Sequence, residues 1–141
     1  MTPSPFKLLC QSCGLTMDEA INFLNIRHDT GKSWWLGRRN PPEEVLRDLH
    51  SLHARIDDVA RNVLATIDQV EREKGELEKI AIGVAVDDHE AHDLGWPCIG
   101  ATAAIARIVL ENLAPDKLAR VIIVPRGSTP ETAAAADAHK H

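Results

Sequence analysis

Apolar residues recur at helical spacing through the first half of the chain. A first helix is predicted from about Ser4 to Cys13, because four apolar residues follow one another there at i, i+3, i+4 and i+7. They are Phe6, Leu9, Cys10 and Cys13. Both cysteines therefore lie on the buried stripe, where we expect them to pack in a core. A redox or zinc-binding C-x-x-C pair is the alternative, but a second ligand pair and a preceding strand are missing from the sequence.

Two short helices joined by a sharp turn are predicted next. Thr16 and Glu19 have the spacing of a capping box, so the first of these helices should begin at Met17. Asn25 stands where the turn requires a left-handed backbone, which Asn tolerates better than most residues. The pattern therefore indicates a compact helix pair with a tight connection.

The second helix of the pair is predicted from about Asp29 to Leu36. Asp29 or Thr30 is expected to cap its start, since both side chains can accept a bond from the backbone. Neighbouring helical residues point about 100° apart, so two adjacent tryptophans cannot share one buried stripe. We expect Trp34 to be buried and Trp35 to be partly exposed.

A long apolar seam follows Pro41 and Pro42. Its members are separated by steps of three and four residues, which predicts one long helix with a narrow apolar stripe. They are Val45, Leu49, Leu52, Ile56, Val59, Val63, Ile67 and Val70. The stripe packs either within the chain or against a second subunit, and its length favours the second subunit. The polar run Glu71–Glu78 then predicts a linker and a domain boundary near Glu73.

The second half of the chain has a β-α-β pattern. Strands are predicted at 79–86 and 120–124, and a helix is predicted at 99–113 with Pro97 in its first turn. One sheet face should carry Ile80, Ile82, Ile122 and Val124, covered by that helix. Because two strands alone are marginally stable, further strands are expected either from the loops of this chain or from a second copy, and the second possibility points to a dimer.

The predicted fold class is therefore α+β. An all-α bundle and a long helix occupy residues 1–73, and a small β-α-β dimerisation domain occupies residues 74–126. Residues 127–141 contain no large apolar side chain, which predicts a disordered tail.

Charge is distributed unevenly along the chain. The formal net charge is -5, but residues 1–55 hold seven Lys/Arg and six Asp/Glu, whereas residues 56–141 hold nine and fifteen. The segment from Arg27 to Arg39 contains four Lys/Arg residues and one acidic residue. Phosphate attraction depends on charge within about 8–10 Å, so the acidic second half does not exclude a nucleic-acid partner.

The helix pair with its basic elbow resembles a known family. The segments LTMDEAINFLNI and TGKSWWLGRRNPPEEVLRDL, above all G-R-R-N-P at 37–41, resemble the lambda-repressor/Cro-like (XRE-type) helix-turn-helix proteins. The resemblance implies a bundle of four or five short helices in which the second and third read DNA. Over most of the chain, the order of elements and the Gly-Trp dipeptide at 95–96 resemble YdiL-like and anti-CRISPR-associated regulators.

From these patterns we expect a sequence-specific transcriptional regulator with no cofactor and no enzymatic activity. The resemblance implies an autoregulatory repressor. The long apolar seam and the two-stranded sheet predict a homodimer, which would bind a palindromic double-stranded DNA operator. Residues expected at the DNA are Arg27, His28, Asp29, Thr30, Lys32, Ser33, Arg38 and Arg39. Neither a membrane-spanning apolar run nor a secretion signal is present, so a cytoplasmic location is expected.

Two alternatives remain open. An antitoxin-like module would neutralise a partner protein through the acidic half of the chain. A weaker alternative is a small metal-dependent enzyme centred on the loop Asp87–Asp93, in which His89 and His92 would join a carboxylate as metal ligands or acid-base groups.

Overall fold

The computed structural model describes residues 2–125, so the tail predicted at 127–141 lies outside the described residues. Mostly helical, with a small parallel sheet near its end, the described chain has the predicted α+β class. Its elements are α1 (Pro5–Ser12), α2 (Met17–Leu24), α3 (His28–Trp35), α4 (Glu43–Lys74), β1 (Ile80–Val84), α5 (Asp88–Asp93), α6 (Ile99–Glu111), α7 (Pro115–Leu118) and β2 (Val121–Pro125).

Tertiary contacts divide the chain into two compact units. The N-terminal unit ends at Ala54 and the C-terminal unit begins at Arg55. This division falls inside α4, whereas the sequence pattern places a domain boundary at the end of that helix.

Local capping interactions fix the first two helices. The Ser4 hydroxyl accepts a hydrogen bond from the backbone N–H of Lys7 and so caps α1. At α2 the predicted capping box is complete, since Thr16 and Glu19 each bond the other's backbone N–H, at 3.2 and 2.9 Å. Asn25 ends α2 with a left-handed backbone at φ 53°, as the sequence predicts.

Buried cysteines and aromatics form the core of the N-terminal unit. Phe6 and Trp34 meet edge to face, with ring centres 5.6 Å apart. Cys10 and Cys13 are fully buried, and burial raises the pKa of their thiols to about 12 and about 11. The Cys13 thiol donates to the carbonyl of Leu49. The predicted packing position of both cysteines is confirmed.

The apolar seam of α4 is buried within a single chain. From Val45 to Ile67 every predicted member of the stripe is less than one-tenth exposed, and only Val70 is half-buried. The expectation that this stripe pairs two subunits is therefore wrong, because its surface is already covered. Helical periodicity identifies which face is buried but does not identify what covers it.

The sheet of the C-terminal unit differs from the predicted one in which residues share a face. Strands β1 and β2 are parallel, and Ile82 stands beside Ile123. Side chains alternate between faces along a strand, so Ile122 and Val124 lie on the face opposite Ile80 and Ile82. The predicted common face is wrong by one residue. Ile80 and Ile82 are buried, whereas Ile122 and Ile123 are 40% and 53% exposed.

Two further boundaries in this unit differ from prediction. Val86 lies beyond β1 and is exposed, so the apolar alternation outlasts the strand. Pro97 precedes the N-cap residue Cys98 and is not in the first turn of α6. The Trp96 side chain next to it is buried, and the Arg55 guanidinium lies 3.9 Å from the centre of its ring. Helix α6 therefore begins two residues later than a proline at its first position would indicate.

An ion-pair cluster joins the end of α4 to the start of β2. Glu71 bonds the Arg120 guanidinium at 3.1 Å and the Lys117 ammonium at 3.3 Å, and its carboxylate also accepts from the N–H of Leu77 at 2.9 Å. Only 11% of the Glu71 side chain is exposed. The prediction that the polar linker begins at Glu71 is therefore wrong, and the helix continues to Lys74.

This cluster predicts a specific dependence of stability on pH. The Leu77 N–H, followed by the Arg120 side chain, lowers the pKa of Glu71 from 4.5 to about 2. A carboxylate whose pKa is lower in the folded state stabilises the fold above its unfolded pKa, and this contribution disappears as pH falls from about 4.5 to about 2. We expect Glu71→Gln to lower the melting temperature at pH 7, and the difference from the parent chain to shrink over that range.

Glu78→Gln is the matched control, because Glu78 is an exposed carboxylate a few residues further along the chain. It should change the melting temperature little at any pH. A Glu71→Gln difference that stayed constant from pH 7 to pH 2 would contradict the role assigned to the ionised carboxylate.

Candidate nucleic-acid interface

Close packing of α3 against α2 determines which side of α3 faces outward. Gly31 is buried, and a Cβ atom added to it would stand 2.4 Å from Cγ1 of Ile21. Only glycine permits this approach of the two helices, which explains an otherwise unfavourable residue in a helix interior. Together with buried Trp34, Gly31 defines the inward side of α3.

The start of α3 differs from the predicted one. The helix begins at His28, and Arg27 is its N-cap residue without a side-chain capping bond. The expectation that Asp29 or Thr30 caps the helix is wrong, and both lie within its first turn. The first N–H groups of such a helix have no intrahelical acceptor, so they remain available to an acceptor outside the protein.

The predicted contact residues lie on and around the outward side of α3. Asp29 and Ser33 point about 160° away from Gly31, and Lys32 and Thr30 flank them, as a period of 3.6 residues requires. The exposed members of the predicted set are Arg27, His28, Asp29, Lys32, Arg38 and Arg39, and the half-buried ones are Thr30 and Ser33. All eight residues therefore present some surface to solvent.

Two side-chain contacts organise this surface. The Arg39 guanidinium donates to the Ser33 hydroxyl at 3.2 Å, which holds the arginine against the outward side of α3. His28 lies 3.6 Å from the carboxylate of Asp18 on α2. The helix start is thus tied to α2, and the elbow after α3 is tied back to the helix.

Positive charge on this surface is available for an external partner. Within residues 2–125, none of Arg27, Lys32 and Arg38 forms an ion pair. Arg39 keeps further N–H donors beyond the one that Ser33 accepts. Exposed guanidinium and ammonium groups of this kind bind phosphate oxygens, and Arg and Lys also bond the acceptor edge of guanine. We call this set, Arg27, Lys32, Arg38 and Arg39, the basic surface.

One interaction that the sequence pattern does not predict supports the basic surface. The Ser4 hydroxyl donates to the carbonyl of Trp35 at 2.8 Å while it caps α1. It therefore joins the start of α1 to the end of α3, next to the elbow. A serine directly before a proline is a helix-start signal that identifies the cap. Its second bond, to a residue 31 positions away, has no local signal.

The acidic segment Asp87–Asp93 is not the loop that the sequence predicts, since it forms helix α5 with Asp87 as its N-cap residue, and its side chains make structural interactions. Asp87 caps α5, and the His92 ring nitrogen lies 2.8 Å from the carbonyl of Pro97. His89 lies 3.4 Å from Asp93. In the described part of the chain, no group of three or more potential ligands is arranged to hold a metal ion.

Comparisons of the chain with family models, with curated proteins and with solved structures found no match. Among the described residues, no helix has the length and apolar character needed to cross a membrane.

Proposed function

We propose that the chain is a sequence-specific DNA-binding regulator in which α2 and α3 form a helix-turn-helix and α3 reads the major groove. The observation that carries the proposal is the basic surface: a short polar helix is flanked by exposed cations that form no ion pair with any residue from 2 to 125. This helix is held by buried side chains on its other side. The resemblance to lambda-repressor/Cro-like proteins points to the same function and favours an autoregulatory repressor acting in the cytoplasm.

The proposed contacts with DNA are of two kinds, to base edges and to phosphates. Asp29 and Ser33 point furthest from the packed side of α3, and we assign base-edge contacts to them and to Lys32, which flanks them. Arg38 and Arg39 bind phosphates from the elbow, and Arg27 does so from the helix start. Phosphate contacts position the protein, whereas base contacts provide the sequence preference.

Selection of bound DNA from a random pool, using the full chain, tests this proposal directly. We expect a defined sequence to be enriched. Lys32→Ala should then weaken binding to that sequence by about 1–3 kcal/mol and relax its preference at one position. Lys79→Ala, which removes an exposed lysine of the C-terminal unit, is the matched control. It should leave the DNA affinity and the base preference unchanged.

A pool from which no sequence is enriched would contradict the proposal. The acidic C-terminal unit would then favour the alternative of an antitoxin-like module, whose partner should be basic.

We further propose that the regulator is a homodimer assembled through the C-terminal unit. The support is the small sheet: β2 carries Ile122 and Ile123 exposed on opposite faces, and a two-stranded sheet is marginal by itself. An apolar edge strand without charges also invites pairing with another chain. Two copies related by a two-fold axis would read inverted half-sites about one helical turn apart.

Sedimentation at micromolar concentration should show a dimer. Ile123→Lys should shift the monomer–dimer equilibrium towards the monomer. Val86→Lys is the matched control, because Val86 is as exposed as Ile123 but lies outside the sheet. A monomer that binds a single asymmetric site at full strength would overturn the dimer proposal.

A further inference from the structure

The N-terminal unit contains a cleft that the proposed DNA contacts do not use. Its volume is about 380 Å³, and it lies between the start of α1 and the end of α3. Apolar surface comes from Leu8, Leu36 and the half-buried ring of Trp35, and the two leucines are 50% and 39% exposed. Polar groups come from Lys7 and Gln11. The cleft thus combines an apolar wall with a few polar groups, as small-molecule sites do.

The charge of the cleft is one-sided. Lys7 places its ammonium 5.8 Å from the centre of the Trp35 ring, and none of the described residues that line the cleft is acidic. Lys7 forms no ion pair with any described residue. An anionic group beside the Trp35 ring would therefore meet a cation without repulsion from a neighbouring carboxylate.

The size of the cleft limits what can occupy it. A volume of about 380 Å³ is near the lower end of the range of about 300–1,000 Å³ for ligand sites. It holds one ring or a branched chain, but not a helix about 10–12 Å across. We propose that the cleft binds a small organic anion that has a carboxylate beside Lys7 and an apolar ring or branched group against Leu8, Trp35 and Leu36.

The cleft is connected to the proposed DNA-binding elbow by hydrogen bonds of Ser4 and by the chain itself. Ser4 holds the carbonyl of Trp35 at 2.8 Å and also fixes the backbone N–H of Lys7. Arg38 and Arg39 follow Trp35 and Leu36 directly along the chain. The anion therefore regulates DNA binding, an effect that rests on the proposed function, whereas the binding site itself does not.

A titration of the full chain without DNA tests the site first. The probe is phenylacetate, followed by the NMR signals of the Trp35 indole and of the amides of Lys7 and Leu8. We expect saturable shifts confined to the cleft. The neutral analogue phenylacetamide should bind about tenfold more weakly, because it lacks one charge-assisted bond worth about 1.5 kcal/mol.

Lys7→Gln should remove the preference for the anion, whereas Lys79→Gln, a control in the C-terminal unit, should retain it. Equal binding of phenylacetate and phenylacetamide would overturn the proposal, as would shifts spread over the whole chain or the absence of saturation. Such a result would leave the cleft as a site for a side chain of a protein partner.

A second titration measures the affinity for the selected DNA with and without saturating phenylacetate. A change of at least a few-fold is expected, and DNA must then change the phenylacetate affinity by the same factor, because coupling is reciprocal. If phenylacetate binds but DNA affinity is unchanged, the regulatory role is overturned while the site stands. If no DNA binds at all, the proposed function fails and the result of the first titration is unaffected.

Discussion

Reversing the charge of both elbow arginines, by Arg38→Glu with Arg39→Glu, should abolish binding of the preferred DNA at physiological salt. Opposite unit charges 4 Å apart attract by about 1 kcal/mol in water, and each reversal replaces one attraction by one repulsion. Two reversals therefore cost about 4 kcal/mol, which is about a thousandfold in affinity. The measurement is a fluorescence-anisotropy titration of labelled operator at several salt concentrations.

The salt dependence distinguishes phosphate contacts from a general loss of structure. Arg38→Ala alone should weaken all sequences alike and lower the slope of log affinity against log salt by about one unit. The double variant should keep the helical circular dichroism of the parent chain, since both arginines are exposed and only the Arg39–Ser33 bond is lost.

A control with the same change in net charge separates local from overall electrostatics. Arg72→Glu with Arg107→Glu reverses two exposed arginines of the C-terminal unit. Binding should then fall far less, because screening limits exposed charges to a range of about 8–10 Å. Unchanged affinity in the Arg38/Arg39 variant, or equal loss in both variants, would show that the elbow does not bind DNA.

Features that depend on neighbouring residues could be predicted from the sequence. The start of α2 follows from Thr16 and Glu19, which bond each other's backbone only three residues apart. The left-handed turn at Asn25 is equally local. The start of α3 was not predictable in this way, because Arg27 supplies no side-chain cap and the helix begins before its first polar capping candidate.

Features that depend on distant partners could not be predicted. The seam of α4 was correctly identified as a buried stripe, but its periodicity carries no information about which element covers it. In the sheet, the alternation of side chains along each strand shows which residues of that strand share a face. The register between β1 and β2 decides which residues of the two strands lie on the same face of the sheet. About 40 residues separate paired positions such as Ile82 and Ile123. A shift of one residue was therefore enough to misassign the face.

The same distinction applies to the candidate site. Helix phase was sufficient to predict that Lys32 and Asp29 are exposed while Trp34 is buried. The Arg39–Ser33 bond depends on the conformation of the elbow, which no periodic pattern encodes. The role of Gly31 was missed as well, since its small size is explained only by Ile21 on the facing helix.

Trp34→Ala should destabilise the N-terminal unit by about 3–5 kcal/mol, the range for deleting a large aromatic side chain from a core. Trp34 is 8% exposed and packs edge to face on Phe6, so its removal leaves a cavity beside the helix that carries the basic surface. Stabilities of small proteins are about 5–15 kcal/mol, so this loss is a large fraction of the total. Urea denaturation, with hydrogen exchange of the α1 amides, measures it.

Trp35→Ala is the matched control, because the neighbouring tryptophan is half-buried and its ring borders solvent under Lys7. Trp35→Ala should lower the free energy of unfolding by less than half as much as Trp34→Ala does. Trp34→Phe keeps an aromatic ring against Phe6 and should fall between the parent chain and Trp34→Ala. Since Trp34 points away from the outward side of α3, any loss of DNA binding in these variants should follow the loss of stability. Equal and small effects of Trp34→Ala and Trp35→Ala would show that the phase of α3 is wrong, and the basic surface with it.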